Sequence, residues 1–405
     1  MIEFKGRIKI SLWSLLAVVF LLGPASSHAK NLIVSELQGK DTNPGTAERP
    51  LKTINAALLK AQPGDRIKIH TGTYRETLLF PRSGSNSSHT IALEALPGAN
   101  VRIKGSDLVT GWVWHSQAIW KRTNWDVNCQ QMFVDGVPLH QIGMNSPFHT
   151  RTVNGKVLLP PTGNGLRDMI PGSFWFDRSL KTLYIRLKDS TPPDRHEVEA
   201  SVRNWVIPFY ERLSFIELRG LHFSHSNQTA GGFTNGIVNI SGRSWVIAGN
   251  TFTYGDFAGL HVSGEGHVIR GNVLNHNGNS GIYVNGSDTA HQWKHYSNRT
   301  PQNIVIEGNE TSFNNYRHFH IHWHAGGIKI IPSCNGVQIL LHRAIANYGH
   351  GIWVDGWCQN IRVNRCLAQR NAGAGIFYEI SDMGIISNNL VLKKNNTFEI
   401  TGTYL

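Results

Sequence analysis

The sequence predicts an all-β protein whose main part is a parallel β-helix, a solenoid of stacked coils. Glycine accounts for 41 of 405 residues and only 16% of the residues are charged. This composition argues against a coiled coil, a helical bundle or a disordered chain. A phrase of glycine followed by alternating apolar residues also recurs after residue 235. The repeat, more than the composition, indicates a solenoid.

The repeated phrase occurs six times and keeps one register. Successive copies begin 23, 22, 46, 24 and 24 residues apart, and we interpret the interval of 46 as one coil enlarged by inserts. Units of this length with short strands and Gly/Asn corners are typical of a parallel β-helix, in which each coil buries its inner face by stacking on its neighbours. The copies are Gly236-Ile-Val-Asn-Ile240, Gly259-Leu-His-Val-Ser263, Gly281-Ile-Tyr-Val-Asn285, Gly327-Ile-Lys-Ile-Ile331, Gly351-Ile-Trp-Val-Asp355 and Gly375-Ile-Phe-Tyr-Glu379.

The segment before the repeats, residues 30–107, is predicted to hold a capping helix and the first coils. Leu51, Ile54, Leu58 and Ala61 fall on one side of an amphipathic helix, which would cover the open edge of the first coil. Short β-rich runs near residues 66–70, 72–76, 89–93 and 101–103 are interpreted as strands of those coils.

Residues 108–203 lack the repeat and are predicted to form an inserted antiparallel β domain. Asp135-Gly136 and the stretch from Asp177 to Lys181 are hairpin signals between alternating runs. The repeat resumes afterwards, so residues 204–405 are assigned to the main β-helix.

Residues 1–29 are typical of a secretory signal peptide with cleavage near Ala29. A basic start precedes the apolar run from Ile10 to Leu22, and Ser27-His28-Ala29 fits a small-x-small cleavage site. The run is too short for a membrane span, and no second candidate follows. We therefore expect a secreted or periplasmic protein without a membrane span.

The chain is basic, with a net charge of +12 that falls to +10 when the predicted signal peptide is removed. Such a charge favours polyanionic partners. Because export makes a polysaccharide a more plausible partner than a chromosome, we expect a carbohydrate, including an acidic polysaccharide, and no nucleic acid. The sequence gives no indication of the oligomeric state.

Two of the four cysteines are predicted to be neighbours. Cys334 and Cys358 both lie seven residues after a repeat glycine, so stacking places them about 5 Å apart, within disulfide range. Two buried thiols are the alternative.

The repeat also sorts side chains by face. The first and third residues after each glycine are mainly apolar and should point inward, so the second and fourth (positions two and four) should point to solvent. Aromatic residues alternate there with polar ones, a pattern that suits carbohydrate binding. A stabilising aromatic ladder is the alternative. These residues are Val238/Ile240, His261/Ser263, Tyr283/Asn285, Lys329/Ile331, Trp353/Asp355 and Phe377/Glu379.

Asp355 and Glu379 are the predicted catalytic pair. Both occupy position four on consecutive coils, so their backbones should be about 4.8 Å apart. Two like charges near 5 Å repel by about 3 kcal/mol at an effective dielectric of 20, which raises the pKa of one carboxyl and leaves an acid beside an anion. Glycosidases need this division, and the short spacing favours retention. A calcium site, or a pair neutralised by Lys329, is the alternative; no other cofactor is predicted.

Lys329 is predicted to hold a substrate carboxylate, neutralise the pair or act as the base of a lyase. Four histidines precede it at alternating positions, so a strand would show them on one side as a polar wall, with His324 nearest the carboxyls. No metal site is predicted, because metal binding needs convergent nitrogens, and a row does not converge. The row is His318, His320, His322 and His324, and a further histidine-containing insert spans His291 to His295.

Several phrases together resemble right-handed parallel β-helix proteins of the carbohydrate-active superfamily, which share the pectin lyase-like fold. They are Asn43-Pro-Gly-Thr, Pro50-Leu-Lys-Thr-Ile, Gly72-Thr-Tyr-Arg-Glu, Ala325-Gly-Gly-Ile-Lys, Gly351-Ile-Trp-Val-Asp and Gly375-Ile-Phe-Tyr-Glu-Ile-Ser. The last two are similar to the catalytic pair of glycoside hydrolase family 120 β-xylosidases, which are β-helices with an inserted β-sandwich. The resemblance implies that Asp355 is the nucleophile and Glu379 the acid/base.

The function predicted from the sequence is that of a secreted retaining glycoside hydrolase. Trp353, Phe377 and Tyr283 would stack on sugar rings, while Lys329, Asn285, His261 and His324 would supply polar contacts. There are two alternatives. One is a lyase that acts on a uronate polymer with Lys329 as base, and the other is a non-catalytic glycan-binding β-helix. An unsaturated product would identify the lyase, and carboxylate variants with unchanged activity would identify the binding protein.

Overall fold

The computed structural model describes residues 29–143, 163–228, 235–286 and 301–392, and the backbone of short strands at 152–153, 156–157 and 400–403. The predicted signal peptide, except Ala29, and the insert from His291 to His295 lie outside the described residues. Within the described ranges, the helices are too short or too polar to cross a membrane.

The chain is built almost entirely of short strands. The first part forms β1 (Asn31–Val34), α1 (Ile54–Lys60), β2 (Arg66–Ile69), β3 (Gly72–Tyr74), β4 (Ile91–Ala95) and β5 (Val101–Lys104). The insert forms β6 (Ser106–Leu108), β7 (Val113–Ser116), β8 (Ile119–Arg122), β9 (Met132–Val134), β10 (Val137–Pro138), β11 (His140–Gln141), β12 (Thr152–Val153), β13 (Lys156–Val157), β14 (Ser173–Asp177), β15 (Thr182–Arg186) and β16 (Val198–Ser201), with 3-10 helices at Leu166–Asp168 and Pro193–Arg195.

The second half repeats a three-strand coil. Its strands are β17 (Ile216–Arg219), β18 (His222–Ser224), β19 (Gly236–Ile240), β20 (Val246–Ala248), β21 (Thr251–Thr253), β22 (Ala258–Val262), β23 (Val268–Arg270), β24 (Val273–Asn275), β25 (Ser280–Val284), β26 (Ile304–Glu307), β27 (Glu310–Ser312), β28 (Gly326–Ile330), β29 (Val337–Leu340), β30 (Arg343–Ile345), β31 (His350–Val354), β32 (Arg362–Asn364), β33 (Leu367–Gln369), β34 (Ile376–Glu379), β35 (Ile385–Ser387), β36 (Leu390–Leu392) and β37 (Ile400–Thr403).

These strands stack into three parallel sheets, of which the first two begin in the first coils and the third begins at β19. The first sheet has the order β1-β2-β4-β17-β20-β23-β26-β29-β32-β35, the second β3-β5-β18-β21-β24-β27-β30-β33-β36, and the third β19-β22-β25-β28-β31-β34-β37. The predicted parallel β-helix is confirmed. The long interval between Gly281 and Gly327 is one coil, because in its described part β26 and β27 are the strands between β25 and β28.

Buried asparagines line the corner between the second and third sheets. Asn277, Asn314, Asn347 and Asn371 form a ladder in which each side-chain amide donates to the Oδ1 of the next at 2.9 Å. Gly351 follows this corner, where a Cβ would lie 2.4 Å from Gly375 O and 2.8 Å from the Asn371 amide. The repeat glycine is therefore required by close packing against the ladder.

The first copy of the repeat does not keep the predicted register. Val238 pairs with Leu260 and Ile240 with Val262, so Gly236 is aligned with Ala258 rather than Gly259. Val238 and Ile240 consequently belong to the core, and Asn239 occupies position two. The prediction that Val238 and Ile240 face outward is wrong, because a one-residue slip exchanges the two faces of a strand.

The insert is a two-sheet β domain with its own core. Its sheets have the orders β11-β14-β15-β8-β7 and β10-β9-β16-β6, and side chains from both, such as Met132 and Phe174, pack together. The β9–β10 and β14–β15 pairs are antiparallel hairpins, as predicted at Asp135-Gly136 and after Asp177. The two sheets form the inserted β-sandwich-like domain that the sequence predicts.

Helix α1 caps the first coil. Thr53 precedes it and its side chain accepts a hydrogen bond from the Ala56 amide, which satisfies one of the free amides of the first turn. Ile54, Ala57 and Leu58 are buried against the first strands. The predicted capping helix is confirmed.

The predicted disulfide is not formed in the structure. Cys334 and Cys358 are buried at equivalent positions of successive coils, but each sulfur contacts a main-chain carbonyl. Cys334 Sγ lies 3.7 Å from Val284 O, and Cys358 Sγ lies 3.1 Å from Asp355 O. Both side chains are thus thiols, as in the alternative interpretation.

Candidate active site

The outer face of the third sheet carries the predicted site residues in one register. His261 pairs with Tyr283, Tyr283 with Lys329, Lys329 with Trp353, and Trp353 with Phe377. The five position-two residues therefore form a row across successive coils, about 4.8 Å apart.

This face is covered rather than open to solvent. Lys329 is 1% exposed, and Tyr283 and Trp353 are buried as well. The loop between β27 and β28 packs on the row, because Phe319 joins Tyr283 in an apolar cluster. The prediction that position-two residues point to solvent is wrong in this respect, since repeat spacing does not show which loops fold over a sheet.

Arg317 links the covering loop to two other parts of the molecule. It forms a buried ion pair with Asp256 of the β-helix and donates to Gln141 Oε1 of the inserted domain. Tyr316 next to it donates to Gln131 Oε1. These contacts connect the covering loop with the inserted domain.

Asp355 is paired with a buried lysine. It directly follows β31, and Lys329 Nζ from the preceding coil donates to its Oδ2 at 2.7 Å. The ammonium also lies 3.1 Å from the centroid of the Trp353 ring, a cation–π contact that a desolvated ammonium favours. Burial lowers the pKa of Lys329 to about 8, although Asp355 opposes this shift.

Glu379 has a different environment from Asp355. Val354 pairs with Tyr378 on the neighbouring strand. The residues that follow this pair are Asp355 and Glu379, so these two are aligned on adjacent coils. Burial and the charge of Asp355 raise the pKa of Glu379, while a hydrogen bond of 2.8 Å from Trp353 Nε1 to its Oε1 opposes the rise. One carboxyl has a cationic partner, and the other has a neutral donor.

The four alternating histidines do not form a strand. Residues 321–324 form a turn, so the predicted row on one side is wrong. His322 is the member whose charge acts on Glu379, whereas His324 stacks on Tyr283 with ring centroids 5.4 Å apart. Burial lowers the pKa of His324 to about 3.

The remaining predicted contacts lie further along the face. His261 is two coils before Lys329, and neither of its ring nitrogens has a hydrogen-bond partner among the described residues. Burial lowers its pKa to about 3. Asn285 follows β25 at position four and is partly exposed. The structure brings Lys329, Trp353, Phe377, Asp355 and Glu379 together, and it leaves His261 at a distance.

Sequence reasoning missed His350. Its ring lies 4.6 Å from that of Trp353 and 4.9 Å from that of Phe377. It directly precedes Gly351 and therefore lies outside the repeated phrase, which begins at the glycine. The equivalent residues of other coils are Ala258, Ser280 and Gly326. None of them has a side chain similar to histidine, so the repeat does not indicate a functional residue at this position.

In the part of the chain that the structure describes, no group of three or more His, Cys, Asp and Glu side chains could hold a metal ion. Within the carboxyl pair, Asp355 forms an ion pair with Lys329.

Comparisons with known proteins match this architecture. A family model described as "right handed beta helix region" matches residues 235–404, and a second, described as a protein of unknown function (DUF1565), matches residues 37–81. The uncharacterized protein YwoF of Bacillus subtilis (strain 168) is 37% identical over 70 residues, which are 17% of this chain and 15% of that protein. The chain folds as a right-handed parallel β-helix.

Two solved structures share the fold at low sequence identity. The structure of XylC in complex with xylose has a TM-score of 0.68 and 18% identity, covering 89% of this chain and 66% of that one. A structure described as "Glycoside hydrolase" has a TM-score of 0.62 and 12% identity, covering 90% and 96%. The chain thus spans 66% of the length of XylC.

Proposed function

We propose that this protein is a carbohydrate-active enzyme that hydrolyses a glycosidic bond with retention of configuration. Asp355 is the nucleophile and Glu379 the acid/base. The observation that carries the proposal is the unequal pairing of the two carboxyls: Lys329 Nζ donates to Asp355, and Trp353 Nε1 donates to Glu379.

The two contacts follow the same diagonal, from position two of one coil to position four of the next. The Asp355 side chain accepts a hydrogen bond from the Lys329 ammonium, whereas burial and the Asp355 charge raise the pKa of Glu379. The pair therefore offers an anion and a proton donor on neighbouring strands about 4.8 Å apart. Retaining glycosidases hold their carboxyls about 5 to 5.5 Å apart, and this supports retention.

The reaction proceeds in two displacements. The Asp355 carboxylate attacks the anomeric carbon and forms a glycosyl ester, while Glu379 gives its proton to the leaving glycosidic oxygen. Glu379, now a carboxylate, then removes a proton from water. The water oxygen attacks the same carbon, the ester bond breaks, and both carboxyls return to their first state.

The side chains of the site and the proteins that share the fold both indicate a class of substrate. Phe377 lies next to Trp353 and is only partly buried, so its ring suits the apolar face of a sugar. XylC, which shares the fold, was solved in complex with xylose, so xylosides are the first substrates to test.

A lyase acting on a uronate polymer is the second candidate. The pKa of Lys329, about 8, favours it because a lysine near neutrality can act as a base. However, the Lys329 ammonium is engaged by Asp355 and by the face of Trp353. Hydrolysis therefore agrees better with the contacts of this residue.

The test is a panel of aryl glycosides and uronate polymers digested by wild type, Asp355→Asn and Glu379→Gln. Proton NMR of the first product should show the anomeric configuration of the substrate. A 2-deoxy-2-fluoro glycoside should label a peptide that contains Asp355, as detected by mass spectrometry. An unsaturated uronate product, or equal activity in all three proteins, would overturn the proposal.

A further inference from the structure

His350 lies beside the rings of Trp353 and Phe377 and is held by a main-chain hydrogen bond. It opens β31, and its Nδ1 accepts a hydrogen bond from the Ala374 amide at 3.0 Å. The proton of the neutral ring is therefore on Nε2. Nε2 is buried and has no hydrogen-bond partner among the described residues. A buried N–H without a partner is costly, so the position is not explained by the stability of the ring alone.

The ring of His350 completes a cluster of three aromatic rings. It stacks on Phe377 at 28° and lies tilted at 60° against Trp353. Trp353 and Phe377 are 5.4 Å apart. The indole of Trp353 thus contacts His350, Phe377 and the Lys329 ammonium, which lies 3.1 Å from its ring centroid.

The Trp353 indole is also the hydrogen-bond donor to Glu379. An indole has one N–H, and a small rotation of the ring would remove this donor from Oε1. The charged or titratable groups that act on Glu379 are Asp355, Lys329 and His322, and those that act on His350 are His322 and Lys329. His350 does not contact Glu379 through a hydrogen bond in the described residues, so its influence passes through Trp353.

We propose that His350 is a positioning residue that holds the Trp353 indole against Glu379 and thereby controls how readily Glu379 releases its proton. It is not a catalytic residue, because it does not touch the reacting atoms. Burial lowers the pKa of His350 to about 4, so near neutral pH the ring is uncharged and adds no repulsion to the Lys329 ammonium. The catalytic meaning of this role rests on the proposed function, but the contact itself does not.

The experiment follows the Trp353 indole N–H by NMR in protein labelled with ¹⁵N-tryptophan. The resonance is assigned by its absence in Trp353→Phe. In wild type it should titrate with Glu379, and in Glu379→Gln this titration should disappear. In His350→Ala the titration midpoint should move to higher pH by up to about one unit, the size expected for losing a hydrogen bond to a charged group.

Activity provides a second measurement of the same effect. The alkaline limb of the pH profile of kcat/KM should move in His350→Ala as the NMR midpoint does, and the double variant His350→Ala/Trp353→Phe should move no further than Trp353→Phe. His350→Phe keeps a ring against Phe377 and Trp353, and it should shift the midpoint less than His350→Ala.

Two results distinguish a failure of the positioning role from a failure of the proposed function. An unchanged indole titration in a folded His350→Ala protein would overturn the positioning role, whatever the activity, and so would a shift in His350→Phe as large as that in His350→Ala. An indole titration that shifts in a protein without glycosidase activity would support the positioning role and overturn the proposed function.

Discussion

The indole Nε1 of Trp353 donates a hydrogen bond of 2.8 Å to Oε1 of Glu379. Both side chains come from the outer face of the third sheet, on strands that are neighbours in register. One coil earlier, Lys329 makes the equivalent contact with Asp355. The same contact, from position two of one coil to position four of the next, therefore occurs twice. The donor is a neutral indole in one copy and a cationic ammonium in the other.

Trp353→Phe should shift the pH dependence of hydrolysis. The hydrogen bond from Trp353 lowers the pKa of Glu379, so its loss should raise this pKa and keep the acid protonated to higher pH. The alkaline limb of kcat/KM should therefore move upward, by up to about one pH unit. Trp114→Phe, at an exposed tryptophan of the inserted domain, is the matched control. A limb that stays in place or moves to lower pH contradicts the prediction.

Lys329→Met should reduce activity strongly. Methionine has a similar length but leaves the Asp355 carboxylate without its cation and close to Glu379, so the nucleophile and the developing charge are both less well stabilised. We expect kcat to fall by about 100-fold, with a smaller effect on KM. Steady-state kinetics measure this, with Lys52→Met at an exposed site as control. Kinetics within twofold of wild type would show that the ion pair is not needed.

His342→Asn should make the protein more resistant to acid. His342 is buried, which lowers its pKa to about 3, below the value of about 6.5 in an unfolded chain. Between these values the unfolded chain binds more protons, so the free energy of unfolding falls as the pH drops, by up to about 1.4 kcal/mol per pH unit from this group.

The asparagine should be tolerated because of where His342 lies. It precedes Arg343, which pairs with Glu310, so it is aligned with Asn309 at the end of the buried ladder Asn250, Asn272, Asn309. Denaturant unfolding at pH 7 and pH 5 measures the slope, and His70→Asn at an exposed histidine is the control. An equal loss of stability on acidification in the variant and in wild type would count against the prediction.

Gly351→Ala should destabilise the β-helix without touching the carboxyl pair. The new Cβ would lie 2.4 Å from Gly375 O and 3.3 Å from Ala344 Cβ, and such overpacking costs about 2 kcal/mol. Gly308→Asn is the matched control, because Gly308 has a φ of +61° with nothing within 4 Å and asparagine tolerates this conformation. Chemical denaturation should show a clear loss for the first variant and a change below about 0.5 kcal/mol for the second.

The sequence by itself determined the solenoid and most of its register. The glycine repeat and the alternation of apolar residues are local features, because side chains of a strand alternate between two faces and each coil has the same length. They were sufficient to place Lys329, Trp353 and Phe377 in one row and Asp355 next to Glu379. The slip at Gly236 shows the limit of this reasoning, since only pairing with β22 decides which residues of β19 face inward.

Only the tertiary structure decided what surrounds that row. Repeat spacing does not show that the loop carrying Phe319 folds over Tyr283, or that Arg317 connects this loop to Asp256 and to the inserted domain, because these contacts join segments far apart in the chain. Covering the row removes water from Lys329 and Glu379, and this desolvation is the largest cause of their pKa shifts. The sequence determined which side chains are neighbours on the sheet. The tertiary structure determined how strongly these side chains are desolvated.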